Sequence, residues 1–294
     1  DTLRHCLVCA AVVTEALRCT DKAFDSRLLA LKRHPELEEI ATWMRAALTG
    51  SEIMEQAREA KVQDATSIRI IPHLFGAVFR QTAQTYEVIM EDMNSVTDNP
   101  SFFDGGLALM GANWDETHLA LYSDALAIGA ATMGKEIETY MERLVDSKLS
   151  GLPHFLVKNP GLNNGFMIVQ YATAGLNGDL DRLSNPQSTA HGQVSAGQEA
   201  PIPRGDNASG KLYESARKLR YMVNLALLTA FQAADFILES MSPVNRQAKD
   251  AVRRTVSFME EDDMMYERIE AMRAVMDSGV LTDLYLDQLG EFPL

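Results

Sequence analysis

The chain has 294 residues, 46% hydrophobic and 23% charged, a globular balance that excludes a disordered tail, a disulfide-stapled miniprotein and a collagen-like repeat. Lys and Arg number 27 against 41 Asp and Glu, so the formal net charge is −14; such a chain repels a phosphate backbone, and no nucleic-acid partner is expected. No positive n-region precedes an apolar run and no uncharged apolar run approaches the roughly 20 residues of a bilayer span, so a cytoplasmic protein off the membrane is expected.

The pattern is helical from end to end. His5-Cys6-Leu7-Val8-Cys9 holds a Cys-x-x-Cys, but no second ligand pair follows and the stretch is helical, so buried thiols are expected rather than a zinc or redox site. With only Cys19 besides, no disulfide framework arises. Helical spacing of apolar residues predicts helices over 74–93, 116–149, 166–183, 211–239, 248–259 and 265–276. Met133, Ile137, Tyr140, Met141 and Leu144 fall on one stripe of the second, which would be roughly 50 Å long. Met222–Leu228 is apolar nearly all round, which predicts a core shared between copies and hence an oligomer, most simply a tetramer.

Turn chemistry separates these runs at Asp98-Asn99-Pro100, Gly105-Gly106, Gly151-Leu152-Pro153, Asn159-Pro160-Gly161 and Pro201-Ile202-Pro203. No alternating strands and no internal boundary are evident. The fold expected is all-α, an elongated bundle forming a single helical domain over 1–294, with no sheet beyond two short strands.

General catalytic motifs are absent. The six histidines, at 5, 34, 73, 118, 154 and 191, show no His-Glu-x-x-His spacing, and there is no nucleophile elbow or phosphate loop. More informative are polar residues lodged in apolar or turn-rich segments. Gln63-Asp64-Ala65-Thr66-Ser67-Ile68-Arg69 ends on an arginine able to fork a carboxylate, unless Asp64 already holds it. Asn113-Trp114 sets an aromatic beside an amide. Asn163-Asn164 opens onto a helix. Gln198-Glu199 puts an amide and an acid in a loop. Together these supply a carboxylate clamp, an aromatic face, amides and an acid.

The segment Ser150–Met167 closely resembles a signature stretch of the aromatic amino acid ammonia-lyases, the histidine and phenylalanine ammonia-lyase family. Val96–Pro100, Gln63–Arg69, Gly111–Trp114, Ser195–Glu199 and the lead-in Phe24–Pro35 resemble that family too, in its order and spacing. The resemblance implies a helical core of the fumarase and aspartase type, a homotetramer, and active sites built from three subunits. It also implies elimination of ammonia from an aromatic or histidine-like amino acid, assisted by a methylidene-imidazolone (MIO) that forms from an internal Ala-Ser-Gly, with no metal.

By that resemblance Arg69 binds the substrate carboxylate with Gln63 beside it, and Trp114 stands where the family usually has Phe. Glu199 matches the acid of histidine-specific members, next to Gln198. Thr66 takes the place of a family Tyr, removing a phenol, and by the resemblance Thr66 and Glu199 are the expected catalytic residues. The family's cofactor-forming segment and a second Tyr lie in an N-terminal portion with no counterpart among these residues. The chain begins with Asp1 rather than Met and is expected to be a processed or cut piece, with that portion supplied by another chain. Ala208-Ser209-Gly210 comes out of family order and is expected to cap a helix through Ser209. The alternatives are a cofactor-independent elimination or isomerisation on the same scaffold, or a non-catalytic assembly partner.

Overall fold

A computed structural model describes residues 1–190 and 192–293, so His191 lies outside the described residues. Among these the elements are α1 Thr2–Ala16, α2 Ser26–Leu29, α3 Pro35–Leu48, α4 Glu52–Ala60, α5 Thr66–Arg69, α6 Ile71–Met93, β1 Ser101–Phe103 and β2 Leu107–Leu109. They continue with α7 Thr117–Val145, α8 Ser147–Ser150, α9 Met167–Leu183, α10 Gly205–Ala234, α11 Pro243–Arg253, α12 Met265–Asp277 and α13 Val280–Leu289. The fold is all-α. β1 and β2 form one antiparallel hairpin closed by Gly105 and Gly106, within the two short strands expected.

Side-chain contacts set the helix directions. Asp124 meets Lys211, and Gly134 lies against Met222, so α7 and α10 run parallel. A Cβ on Gly134 would stand 2.6 Å from Leu180, which is why α9 approaches α7 so closely here. Glu138 bonds Asn177 nearby, so α9 is antiparallel to α7. Thr85 Oγ1 donates to Tyr122 O at 3.3 Å and Val78 packs near Gly129, making α6 antiparallel to α7 as well.

α1 fills the centre and follows α10. His5 through Ala16 are all buried, Cys6 and Cys9 among them, so the thiols are core residues and burial pushes both well above the ordinary thiol range. Its far end is tied by Glu15, which accepts from Ser242 N at 2.7 Å and from the Asn245 amide, while Tyr285 OH donates to Asn245 Oδ1. Gln232 of α10 does the same for two loops. Its Nε2 donates to Leu156 O and Met259 O at 3.0 and 2.8 Å, and its Oε1 accepts from Met259 N. A buried amide that satisfies three loop groups explains a polar residue in so apolar a run.

Four expectations change. The helix expected over 116–149 breaks at Asp146, whose carboxylate caps Lys148 N and starts α8. α10 begins six residues before 211 and ends at Ala234, short of 239. α11 ends at Arg253 rather than running to 259. Met222–Leu228 is covered by the chain's own helices, with each residue at most 2% exposed, so it does not itself require a second copy.

Candidate functional site

Arg69 closes the short α5, and one residue later the chain enters α6. Its Nε donates to Asp64 O at 2.9 Å and its Nη2 to Thr66 Oγ1 at 3.4 Å. Those bonds hold the guanidinium without neutralising it. The Asp64 carboxylate is buried and committed elsewhere, accepting from Thr20 N at 2.7 Å and facing Lys61 Nζ at 3.4 Å. The alternative in which Asp64 pairs with Arg69 is therefore not what the geometry shows. Nη1 has no partner among the described residues, leaving an edge that can fork a carboxylate.

Arg69 lines a cavity of about 650 Å³ with Gln63, Thr66, Lys22, Lys32, His73 and the apolar Leu28, Leu31, Val62 and Ile70. The size suits a small-molecule ligand. Leu31 and Val62 are 82% and 92% exposed, an unusual apolar rim around a cationic hollow. His73 lies one helical turn beyond Arg69. Its Nδ1 is buried without a partner, and burial, with the charges of Lys32 and His34, holds the imidazole below its ordinary pKa.

Trp114, Gln198 and Glu199 do not reach this cavity. Trp114 precedes α7 and is half-buried; Gln198 and Glu199 sit in an exposed turn in which Val194 N donates to Glu199 O at 3.0 Å. Glu116 joins the start of α7 to the start of α10. Its carboxylate accepts from Asp206 N at 3.2 Å, and a Cβ on Gly205 would stand 2.4 Å from the Glu116 Cβ. Trp114 therefore lies near the start of α7. Arg69 is at the start of antiparallel α6, beside the other end of α7. At 1.5 Å per residue, α6 is about 35 Å long. Within one copy Trp114 thus lies toward the opposite end of α7 from Arg69.

The strongest sequence signature lies apart from the Arg69 cavity. In Ser150–Met167 the backbone N–H groups of Asn164 and Gly165 donate to the Asp262 carboxylate at 2.7 and 2.8 Å, and Asp262 N donates back to Asn163 Oδ1 at 3.1 Å. Leu156, Val157 and Phe166 are buried. In this copy the asparagine-rich loop is a clasp onto the segment before α12.

Sequence reading missed Lys32 and His73. The i, i+4 spacing of His73 from Arg69 across the α5–α6 junction was the available signal. Lys32 lies far from Arg69 in sequence and had none. Among the described residues no cluster of His, Cys, Asp or Glu could hold a metal. No described helix is long and apolar enough to cross a membrane.

A sequence profile for aromatic amino acid lyases matches residues 1–254. The chain belongs to this family. It is 37% identical over 280 residues to a probable histidine ammonia-lyase of Thermoplasma volcanium, covering 95% of this chain and 56% of that protein. It is 37% identical over 267 residues to the histidine ammonia-lyase of Geobacillus kaustophilus, covering 90% and 53%. The chain therefore spans about half the length of the curated relatives it matches. Among solved structures, histidine ammonia-lyase from Trypanosoma cruzi superposes with a TM-score of 0.89 at 28% identity, covering 97% of this chain and 54% of that one. Tyrosine aminomutase from Streptomyces globisporus gives 0.90 at 25% identity, covering 98% and 59%.

The family's electrophile requires a tripeptide that can cyclise. Ala208-Ser209-Gly210 lies inside α10, where Ser209 Oγ donates to Asp206 O at 3.1 Å. Ser209 is thus not the cap expected of it. Helical backbone directs the Ala208 carbonyl along the axis rather than toward the Gly210 nitrogen, so these residues do not fit MIO formation.

Proposed function

We propose that this chain is the carboxylate-binding portion of a carbon–nitrogen lyase that removes ammonia from an aromatic or histidine-like amino acid. The observation that carries the reading is the Arg69 guanidinium, fixed by Asp64 O and Thr66 Oγ1, open at Nη1 and unpaired with any carboxylate among the described residues, in a cavity rimmed by apolar side chains. An arginine so placed binds a substrate carboxylate through two parallel bonds, and the apolar rim takes the ring. Gln63 adds an amide at the same wall. Thr66 spends its hydroxyl on orienting Arg69.

Glu199, Gln198 and Trp114, which lie outside this cavity, are read as parts of a second half-site. In this reading an Arg69 end from one copy meets a Trp114–Glu199 end from another, which makes the working unit an oligomer, most simply a homotetramer. Exposed apolar side chains support it, including Met93, Val96, Phe102 and Met110 around the hairpin and Leu121, Ile168, Tyr171 and Tyr213 on the long helices. The electrophile and a proton-accepting group belong to the part of the lyase that these 294 residues do not span. No step is assigned to Ala208-Ser209-Gly210.

The test is complementation. The homogeneous 294-residue chain should release no ammonia from histidine, phenylalanine or tyrosine. Co-expression with the unmatched N-terminal portion of the Thermoplasma volcanium relative should restore release from one of them. A stable complex without activity would overturn the reading, and so would turnover by the chain alone.

A further inference from the structure

The Arg69 cavity is more cationic than a single carboxylate requires. Lys22, Lys32 and Arg69 line it, with His73 beside them, against one carboxylate, Asp64, which Thr20 N and Lys61 already engage. Lys22 is spent, since its Nζ donates to Lys61 O at 2.6 Å. Lys32 is not. Its ammonium makes no hydrogen bond or ion pair among the described residues. In a chain of net charge −14 the overall field repels anions, so a hollow with two uncommitted cations stands out locally.

A second observation fixes where the extra charge lies. Lys32 and His73 also line an adjoining cavity of about 280 Å³, together with His34, Arg80, Gln81 and Gln84. Arg80 there is already paired with Glu36 at 3.2 Å, so Lys32 is the open cation at the junction. Two amides and two imidazoles extend that wall with further hydrogen-bonding groups. The hollow is thus lined by the Arg69 guanidinium, by the apolar Leu28, Leu31 and Val62, and by Lys32, which it shares with the smaller polar cavity.

We propose that this site takes a ligand with two anionic groups, one carboxylate held by Arg69 and a second acidic group held by Lys32 with His73 alongside. The inference rests on the carboxylate-clamp reading of Arg69 and narrows its substrate class to aromatic acids or amino acids that carry a second acid. The second group need not be a carboxylate; any compact anion reaching the junction meets the same donors.

The experiment is calorimetric titration of the full chain, at low ionic strength and pH 8, with two probes of one shape, trans-cinnamate and 4-carboxycinnamate. The dianion should bind about tenfold more tightly, the scale of one charge-assisted hydrogen bond, and the advantage should shrink as salt is added. Lys32→Met should abolish that advantage and leave cinnamate affinity within about twofold, while Arg69→Lys should weaken both ligands. Equal binding of the two probes, or an advantage that survives Lys32→Met, overturns the two-anion inference and spares the Arg69 clamp. Failure of both probes to bind the unmodified chain overturns the inference and the clamp together.

Discussion

Asp124 and Lys211 form an ion pair across α7 and α10 whose side chains are only 5% and 8% exposed. The Asp124 carboxylate also accepts from the backbone N–H groups of Gln187 and Ser188, both at 2.7 Å, and Lys211 Nζ donates to Asn185 O at 2.7 Å. The pair therefore pins the segment leaving α9 to the two longest helices, a few residues before the Gln198–Glu199 turn. Lys211→Met would leave a buried carboxylate without its cation, and the expected loss is about 3–5 kcal/mol in urea unfolding. An unchanged midpoint would remove the pair from the fold's supports.

The same carboxylate gives an acid limb to stability. Burial alone would raise its pKa, but the Lys211 and Ser188 bonds outweigh burial and hold it below the usual carboxylate range. A group depressed in the folded state contributes stability above its unfolded pKa, near 4, and loses it as pH falls through the folded value. Melting temperature should fall below about pH 4, and Asp124→Asn should flatten that fall. An equally steep acid limb in Asp124→Asn would assign it to other carboxylates.

Glu136 works in the opposite direction. It is 7% exposed on α7, its Oε1 has no partner among the described residues, and burial pushes its carboxyl up to about 7. A raised carboxyl is proton-bound in the folded chain between about pH 4.5 and 7, so its stability is present below 4.5 and lost as pH rises through 7. The whole shift is worth roughly 3 kcal/mol. Glu136→Gln should therefore be more stable than the unmodified chain at pH 8 by up to about that amount, with the gain vanishing near pH 4. A gain independent of pH would assign it to packing instead.

How much of this was legible beforehand depended on range. Apolar periodicity located α6, α7, α9 and α10 because each keeps a polar face for part of its length. It left α1 unmarked, since residues buried on every side carry no period, and only the Cys6–Cys9 spacing drew notice there. Helix ends slipped at Asp146, a local cap that starts α8 inside a proline-free run, and at the start of α10, where the tertiary partner Glu116 accepts from Asp206 N. Arg69, Gln63 and Thr66 were readable as a local constellation because five intervening residues suffice to join them. Their distance from Trp114 was not, because it follows from the antiparallel course of α6 against α7.

Assembly should be visible directly. With the Met222–Leu228 stretch satisfied internally, the surface that calls for partners is the hairpin and the outer faces of α6, α7, α9 and α10. Sedimentation at micromolar concentration should show a tetramer, and Phe102→Ser with Phe103→Ser on the hairpin should lower its order without unfolding the chain, as both side chains are more than half exposed. A monodisperse monomer would remove the shared-site arrangement.

The most direct measurement is the affinity of trans-cinnamate for the unmodified chain and for Arg69→Lys. Lysine keeps the charge but cannot make the paired bonds of a guanidinium. Arg69 is exposed and holds only Asp64 O and Thr66 Oγ1, so its replacement should leave the melting temperature nearly unchanged. Affinity should fall by about 1.5 kcal/mol, the low end for a charge-assisted hydrogen bond, because the clamp is open to water. A fall in melting temperature with affinity unchanged would mean that Arg69 serves the local fold of α5 and not a ligand.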